Sequence, residues 1–329
     1  MTATAPYVST YHQQAADPAS SIQFAVTLPT FRRPEHLIKT LKTVLSQEPG
    51  APFAVIVMEN DAEGMEGARA AKGFFEQHQV NALVVVAHDR GNCHAYNAGW
   101  AAALSSYPGL KALAVIDDDE IAAPSWFENL VLVQKETGAD LVGGPQLPDF
   151  EDRSRAAMKR HPVFTPHYDT SGPVPILYSS GNVLVSADVL RAMPQPFLDP
   201  AFNFTGGGDS DFYRRCKEKG FCFAWANDAW VMETIPARRT EESWVRARSL
   251  RTGALSAQLE HRARPGLAGR LRTIVRSLLL LAASPFRGFA LWRKTGVPSA
   301  ALFHFYVAVG RLMVEFGFIN EQYRNPEKN

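Results

Sequence analysis

Four short runs of apolar, β-branched-rich residues recur in the first third of the chain: IQFAVTL at 22–28, FAVIVM at 53–58, LVVVA at 83–87 and LAVI at 113–116. Each has the length of a strand and is continuously apolar rather than alternating, the pattern of strands buried on both faces. The segments between them are long enough for helices and carry start signals. Pro34-Glu35 precedes Leu37, Leu41 and Val44, and Pro124 precedes SWFENLVLVQ; proline suits a first helical turn. This strand–helix alternation predicts an α/β fold with a mostly parallel central sheet covered by helices. Ligands of such sheets gather at the C-terminal strand ends. The residues there are Pro29-Thr30, Glu59-Asn60-Asp61, His88-Asp89-Arg90 and Asp117-Asp118-Asp119, an acid-rich rim with one conspicuous arginine.

Beyond the fourth run the pattern changes. PVPILYSSGNVLVSADVL reads as an extended segment, a small-residue turn and a helix from about Ala187. FLDPAFNFTGGGDSDFYRRCKEKG sets three glycines before two aspartates and a basic helix, which places Asp209 at or near a helix N-terminus. Farther on, Trp244, Arg248 and Arg251 fall at spacings of four and three, one helical face that suits a diphosphate or packs through the tryptophan. Leu267, Leu271, Ile274, Leu278 and Leu281 continue that rhythm as one apolar stripe, with Arg270, Arg272 and Arg276 off it, and a second apolar stretch occupies 301–318. Neither stretch is a clean charge-free span of about 20 residues, so no transmembrane helix is expected.

Composition narrows the field. The chain has 329 residues, of which 46% are hydrophobic and 20% charged, and a formal net charge of +1, which fits a globular protein with no global field for nucleic acid. The charge is unevenly spread: between Glu260 and Glu315 there are nine Lys or Arg residues and no acid. Cys93, Cys216 and Cys222 lack metal-type spacing and an even count, which fits buried thiols in a reducing compartment. The first 20 residues lack a secretory signal's pattern and read as a flexible tail.

Asp117-Asp118-Asp119-Glu120 is the strongest chemical signal, because adjacent like charges need solvent or a cation to screen them. Strand alternation puts Asp117 and Asp119 on one side and Asp118 on the other. Two hard-oxygen ligands at this spacing suit Mg²⁺ or Mn²⁺, which bridges a diphosphate; the same run also fits a solvated loop or a cap cluster.

Taken in order, the motifs resemble those of family 2 glycosyltransferases of the GT-A fold, in particular the bacterial exopolysaccharide enzymes of the succinoglycan type. Pro29, Thr30, Phe31 and Arg33 match the opening motif; Arg90, Gly91, Asn97 and Gly99 the next; Asp117 to Asp119 the Asp-x-Asp; and Gly206, Gly207, Asp209, Asp211 and Phe212 the last. The resemblance covers roughly residues 22–250. It implies that Pro29, Thr30, Glu59 and Asn60 line a uridine pocket, that Arg33, Arg90, Asn97 and Asp118 belong to the UDP-sugar site, that Asp117 meets the ribose, and that Asp119, with Asp117, holds Mn²⁺ or Mg²⁺. An acceptor hydroxyl needs a general base, for which Asp209 is the candidate and Asp211 the alternative. Two departures stand out: Gly208 occupies a place where the family often has an acid, and Tyr96 one where arginine is frequent. The processive Gln-x-x-Arg-Trp signature is absent, which favours transfer of a single sugar.

The expected organisation is a tail over 1–20, a catalytic domain over 21–250 with its nucleotide-sugar half at about 21–120 and its acceptor half at about 121–250, and a helical basic and apolar region over 251–329. That last region reads as membrane-surface helices, or else as a helical subdomain or homodimer face. By the resemblance, the acceptor is a glycan or lipid-linked oligosaccharide, no nucleic acid is involved, and the enzyme sits on the cytoplasmic face of the inner membrane. Two other readings compete: a nucleotidyltransferase making sugar nucleotides, disfavoured because PTFRRPEH lacks the glycine-rich loop that chemistry needs, and a non-catalytic sugar-nucleotide binder. His88 and His94 flank the Arg90 loop and read as surface or capping residues.

Overall fold

A computed structural model describes residues 7–318. They divide into two compact units, one of residues 7–146, 167–203 and 208–233, the other of 147–166, 204–207 and 234–318.

The first unit is built on a nine-stranded sheet. Its strands are β1 (Val8–Gln14), β2 (Phe24–Thr30), β3 (Phe53–Glu59), β4 (Asn81–Ala87), β5 (Ala112–Ile116), β7 (Leu141–Gly143), β9 (Gly172–Val174), β10 (Asn182–Ser186) and β11 (Phe223–Trp225); β6 (Glu120–Ala122) lies apart from it. The order is β1-β4-β3-β2-β5-β10-β7-β11-β9. The four apolar runs of the sequence form the parallel block β4-β3-β2-β5, with Phe24 opposite both Phe53 and Ala112. On the other side β10 joins antiparallel, Asn182 opposite Ile116 and Ser186 opposite Ala112. Helices α1 (Pro34–Leu45), α2 (Glu66–Phe75), α3 (Asn92–Ser106), α4 (Trp126–Thr137), α5 (Ala187–Ala192) and α6 (Gly208–Glu218) complete the unit. Val26, Leu28, Val55, Val57, Leu37, Leu41, Phe75 and Phe127 meet in one buried core. Each such side chain contributes roughly 1.5–3 kcal/mol of burial. Polar atoms around Trp126 are matched: Trp126 Nε1 donates to Asn182 Oδ1 at 2.8 Å, and Asn182 Nδ2 donates to the carbonyls of Pro145 and Ala229 at 3.0 and 2.8 Å.

Residues 8–14, expected in a flexible tail, are ordered as β1 on the edge of β4, with Val8 opposite Ala87 and Gln14 opposite Ala82. The first six residues of that expected tail lie outside the described residues. An edge strand exposes one side to water, so VSTYHQQ carries no continuous apolar run to announce it. His88 serves this edge: its Nε2 lies 2.8 Å from Ser9 Oγ and its ring 4.0 Å from that of Tyr7.

The second unit contains most of β8 (Gln146–Phe150), the end of β12 (Val231–Ile235), and helices α7 (Glu242–Ala263), α8 (Leu267–Thr295) and α9 (Phe303–Met313). The expected boundary at 250 falls inside α7, which runs unbroken for 22 residues because nothing in SLRTGALS stops a helix. Arg311, 2% exposed, ties the three helices by donating to Ser277 Oγ on α8 and, on α7, to Ser256 Oγ and Glu260 Oε2. Phe150, Met158, Phe164, Ile235 and Val245 form a small separate core. Two segments, Leu267–Thr295 and Pro298–Phe316, are long and apolar enough to cross a membrane by length and composition alone.

Candidate active site

The acidic run lies where β5 ends. Because β5 stops at Ile116, residues 117–119 form a turn rather than extended strand, closed by Glu120 N–H donating to Asp117 O at 3.3 Å. The turn keeps the expected alternation in burial all the same: Asp117 and Asp119 are half-buried, whereas Asp118 and Glu120 are buried. Asp118 and Asp119 share a partner: Arg33 Nη1 donates to Asp119 Oδ2 at 2.6 Å and approaches Asp118 Oδ1 at 3.4 Å. Asp118 also accepts from Thr30 Oγ1 at 2.8 Å. Asp117 turns instead to Tyr96, whose hydroxyl donates to Asp117 Oδ1 at 2.9 Å. Burial pushes the carboxyls of both Asp117 and Asp118 up to about 7; the Asp119 charge adds to the rise at Asp117, while Arg33 opposes it at Asp118. Glu120 is fully buried and faces inward, accepting from the Asp117 N–H at 2.9 Å and from Gln146 Nε2 at 2.5 Å, so it shapes the turn.

The other strand ends supply scaffolding around this corner. Pro29 is buried in β2 opposite Met58, and Thr30 follows it to reach Asp118. Glu59 is fully buried; its carboxylate accepts the N–H groups of Asp61 and Ala68 at 2.8 and 2.9 Å, with burial raising its pKa. Asn60 spans to the next loop, donating to the carbonyls of Ala87 and Asp89 and accepting the Gly91 N–H at 2.8 Å. Asn97 makes a matched pair with Leu198, donating to its carbonyl and accepting its N–H, both at 2.8 Å. These three side chains hold the rim in place. Arg90 lies over the Phe31 ring at 5.2 Å, and Arg32 over the same ring at 4.9 Å.

Asp209 lies in the first turn of α6, half-buried, with Oδ1 accepting the Ser210 N–H at 2.7 Å. The chain reaches it through Gly206 and Gly207, with φ of 72° and 99°, where other residues would be strained. Gly208 has a physical cause: a Cβ there would lie 2.7 Å from Cys93 Sγ, so no acidic side chain fits. Asp211, by contrast, is 2% exposed and accepts from Arg214 at 3.0 Å on one oxygen and from Arg215 at 2.7 Å on the other. Tyr213, on the helix that carries Asp209, reaches Ser179, next to the serine bonded to Tyr96. Its hydroxyl donates to Ser179 O at 2.9 Å, and its pKa is driven well up by burial first and then by the charges of Asp209 and Asp117.

Sequence reading assigned no role to Gln146 or Tyr213 and noted Tyr96 only as a departure. The one signal for Tyr96 is its place in the Asn97 motif. On α7 the proposed Trp244, Arg248, Arg251 face is partly structural: Arg251 is 9% exposed and donates to Thr205 O at 2.8 Å, while Trp244 stacks on Phe164 at 6.1 Å.

Among the described residues no group of three or more His, Cys, Asp or Glu side chains is placed to hold a metal ion. The chemistry of the corner still fits one. A guanidinium already sits on the Asp118–Asp119 pair as a stand-in cation, and two carboxylates suit Mg²⁺ or Mn²⁺ when a ligand's phosphate oxygens and water complete the shell.

Residues 25–191 match the sequence profile described as Glycosyl transferase family 2. The chain is 27% identical over 257 residues to the succinoglycan biosynthesis protein ExoM of Rhizobium meliloti (strain 1021), covering 74% of this chain and 76% of that one. Its fold is similar to the mannosyltransferase PcManGT from Pyrobaculum calidifontis, solved with GDP-Man and Mn²⁺, at a TM-score of 0.57 and 15% identity over 89% and 88% of the two chains. It is also similar to S. aureus TarS 1-349 in complex with UDP, at a TM-score of 0.52 and 11% identity over 90% and 92%.

Proposed function

The chain belongs to glycosyl transferase family 2, and from that premise we propose that it transfers one sugar from a UDP-sugar, best a UDP-hexose such as UDP-glucose, to a glycan acceptor carried on a polyprenyl diphosphate, in the making of an exopolysaccharide. The reaction is metal-dependent and inverting. Asp119, with Asp117, would hold the divalent cation, and Asp117 also meets the ribose of the donor. The cation, when bound, offsets the charge that develops on the departing diphosphate. Asp209 accepts the proton of the acceptor hydroxyl as its oxygen bonds to the anomeric carbon. The bond from that carbon to the diphosphate oxygen breaks on the opposite face, and UDP leaves. Thr30, Glu59, Asn60 and Asn97 keep the rim in shape, and Arg33 and Arg90 supply positive charge beside the diphosphate.

The observation that carries this reading is a run of hydroxyl contacts between the two acidic halves: Tyr96 donates to Asp117 Oδ1 at 2.9 Å, Ser180 donates to the Tyr96 hydroxyl at 3.3 Å, and Tyr213, on the helix that carries Asp209, donates to Ser179 O at 2.9 Å. Asp209 is preferred to Asp211 as base because Asp211 is 2% exposed whereas Asp209 is only half-buried. Relatives support the substrate class: the similar mannosyltransferase was solved with a nucleotide sugar and Mn²⁺, and ExoM is a succinoglycan biosynthesis protein. The lipid-linked acceptor calls for a cytoplasmic enzyme lying on the inner face of the membrane.

A UDP-release screen across UDP-sugars with Mn²⁺ and membrane-extracted acceptor tests the reading. Asp209→Asn is expected to retain UDP binding and to lose transfer by roughly a hundredfold or more. Full activity in that variant would move the base elsewhere.

A further inference from the structure

Arg33 lies against two carboxylates of the acidic corner. Its guanidinium touches Asp119 at 2.6 Å and Asp118 at 3.4 Å. Burial works against its charge, but Asp119, then Asp118 and Asp117, more than offset that and raise its pKa. The backbone that delivers it is pinned on both sides. Before it, Arg32 adopts a left-handed φ of 55° and bonds Asp61 through Nε at 2.5 Å; after it, Pro34 opens α1. The side chain itself keeps 36% of its surface exposed, against 8% for Asp118 and 12% for Asp119, so it is the member of the trio with room to move.

We propose that Arg33 is the resident counter-cation of the Asp118–Asp119 pair and that a divalent cation binds by displacing it, which makes cation binding depend on the sugar nucleotide. This deepens, and rests on, the metal-dependent reading above. A divalent cation held by Asp119 and a guanidinium on the same carboxylate repel one another at contact distance, so the two compete. A displaced guanidinium needs another anion, and a diphosphate offers oxygens that match its fork of donors. Asp118 does not lose all support when Arg33 leaves, because Thr30 Oγ1 still donates to it at 2.8 Å. The released carboxylate of Asp119 then turns to the cation. Nucleotide and cation therefore strengthen each other's binding, and the coupling is reciprocal. In the donor-free protein, Arg33 keeps the corner neutralised and poorly receptive to a free cation.

The test is a titration of the full chain with Mn²⁺ at pH 8, reading free Mn²⁺ by electron paramagnetic resonance, with and without UDP. Arg33→Met and Arg33→Gln remove the competing charge, and Arg33→Lys keeps it. In the two neutral variants Mn²⁺ alone is expected to bind about tenfold more tightly than in the unaltered protein, since a charge-assisted contact is worth that much or more. The gain from adding UDP should shrink by a similar factor, and Arg33→Lys should stay close to the unaltered protein. Circular dichroism and melting midpoint confirm that each variant is folded; the two neutral variants serve as checks on one another. Neutral variants that bind Mn²⁺ no more tightly than the unaltered protein overturn the role of Arg33. If UDP still promotes Mn²⁺ uptake in that case, the metal-dependent reading stands. Failure of the unaltered protein to take up Mn²⁺ even with UDP overturns both.

Discussion

Burial raises the carboxyls of Asp117 and Asp118 to about 7, with Asp119 adding to the rise at Asp117 and Arg33 opposing it at Asp118. The sign of the effect on stability follows. A carboxyl that titrates near 3.9 in the unfolded chain and near 7 in the fold contributes stability that is fully present below about pH 4 and is lost as pH rises through 7. Asp117→Asn removes that loss while leaving an oxygen to accept the Tyr96 hydroxyl. The variant is expected to be more stable than the unaltered protein by about 4 kcal/mol at pH 8 and to differ little at pH 4. Melting curves at the two pH values check this, and equal midpoints at pH 8 would show that the carboxylate is compensated by another route. Very little of this was legible in sequence. That four acids end a strand is plain from LAVIDDDE, but which carboxylates pair depends on β5 stopping at Ile116, and on Arg33 arriving from a turn 85 residues earlier. Tyr96, Gln146 and Tyr213 act through contacts at long sequence separation, for which a single chain carries no local signal.

At the level of elements, burial on both faces decides what can be read. β2 to β5 are continuous apolar runs because helices cover both sides, and each observed strand overlaps its sequence counterpart. β1 is half exposed, and β7, β9 and β11 have three residues each, too few for a periodicity. The path of the chain through the second unit, which collects residues 147–166 as well as the C-terminal helices, is likewise set by tertiary contacts rather than by local pattern. His161 shows what those contacts do. It is fully buried beside Phe164 and Phe303, its Nδ1 accepts the Val163 N–H at 3.2 Å, and burial lowers its pKa to about 4. Neutral in the fold and titrating near 6.5 when unfolded, it contributes stability that is present above about pH 6.5 and lost as pH falls towards 4. His161→Gln is expected to flatten the acid side of the stability curve between pH 6.5 and 4. Denaturant midpoints across that range decide the matter, and an unchanged acid slope would assign it to other groups.

Across the whole chain, charge is unevenly spread, and among the described residues so is apolar surface. The net charge is only +1, yet residues 261–314 hold nine Lys or Arg and no acid. Helix α8 is inverted relative to an ordinary surface helix. The residues it buries are Thr273, Ser277, Ser284, Gly288 and Thr295, while Leu267, Leu271, Leu279, Phe286, Phe289 and Trp292 are exposed, Phe286 by 80%. The apolar stripe seen in sequence therefore faces outward, where a core reading would turn it inward. An apolar outer face with arginines along it is the pattern of a helix lying in the boundary of an anionic bilayer. Deleting the region is a poor test, because Arg311 of α9 and Ser277 of α8 are part of the packing around α7. Substitutions on the exposed face avoid that problem. The unaltered protein is expected to sediment with vesicles containing phosphatidylglycerol and to remain in the supernatant with neutral ones. Leu279→Glu with Phe286→Glu should weaken the vesicle binding by roughly tenfold or more, since each exposed side chain contributes about 1.5–3 kcal/mol on entering apolar surroundings. Donor hydrolysis in solution should be unaffected, because neither residue belongs to the unit that carries Asp119 and Asp209. Binding that persists in the double variant would assign the outward stripe to a protein partner or a second copy of the chain instead.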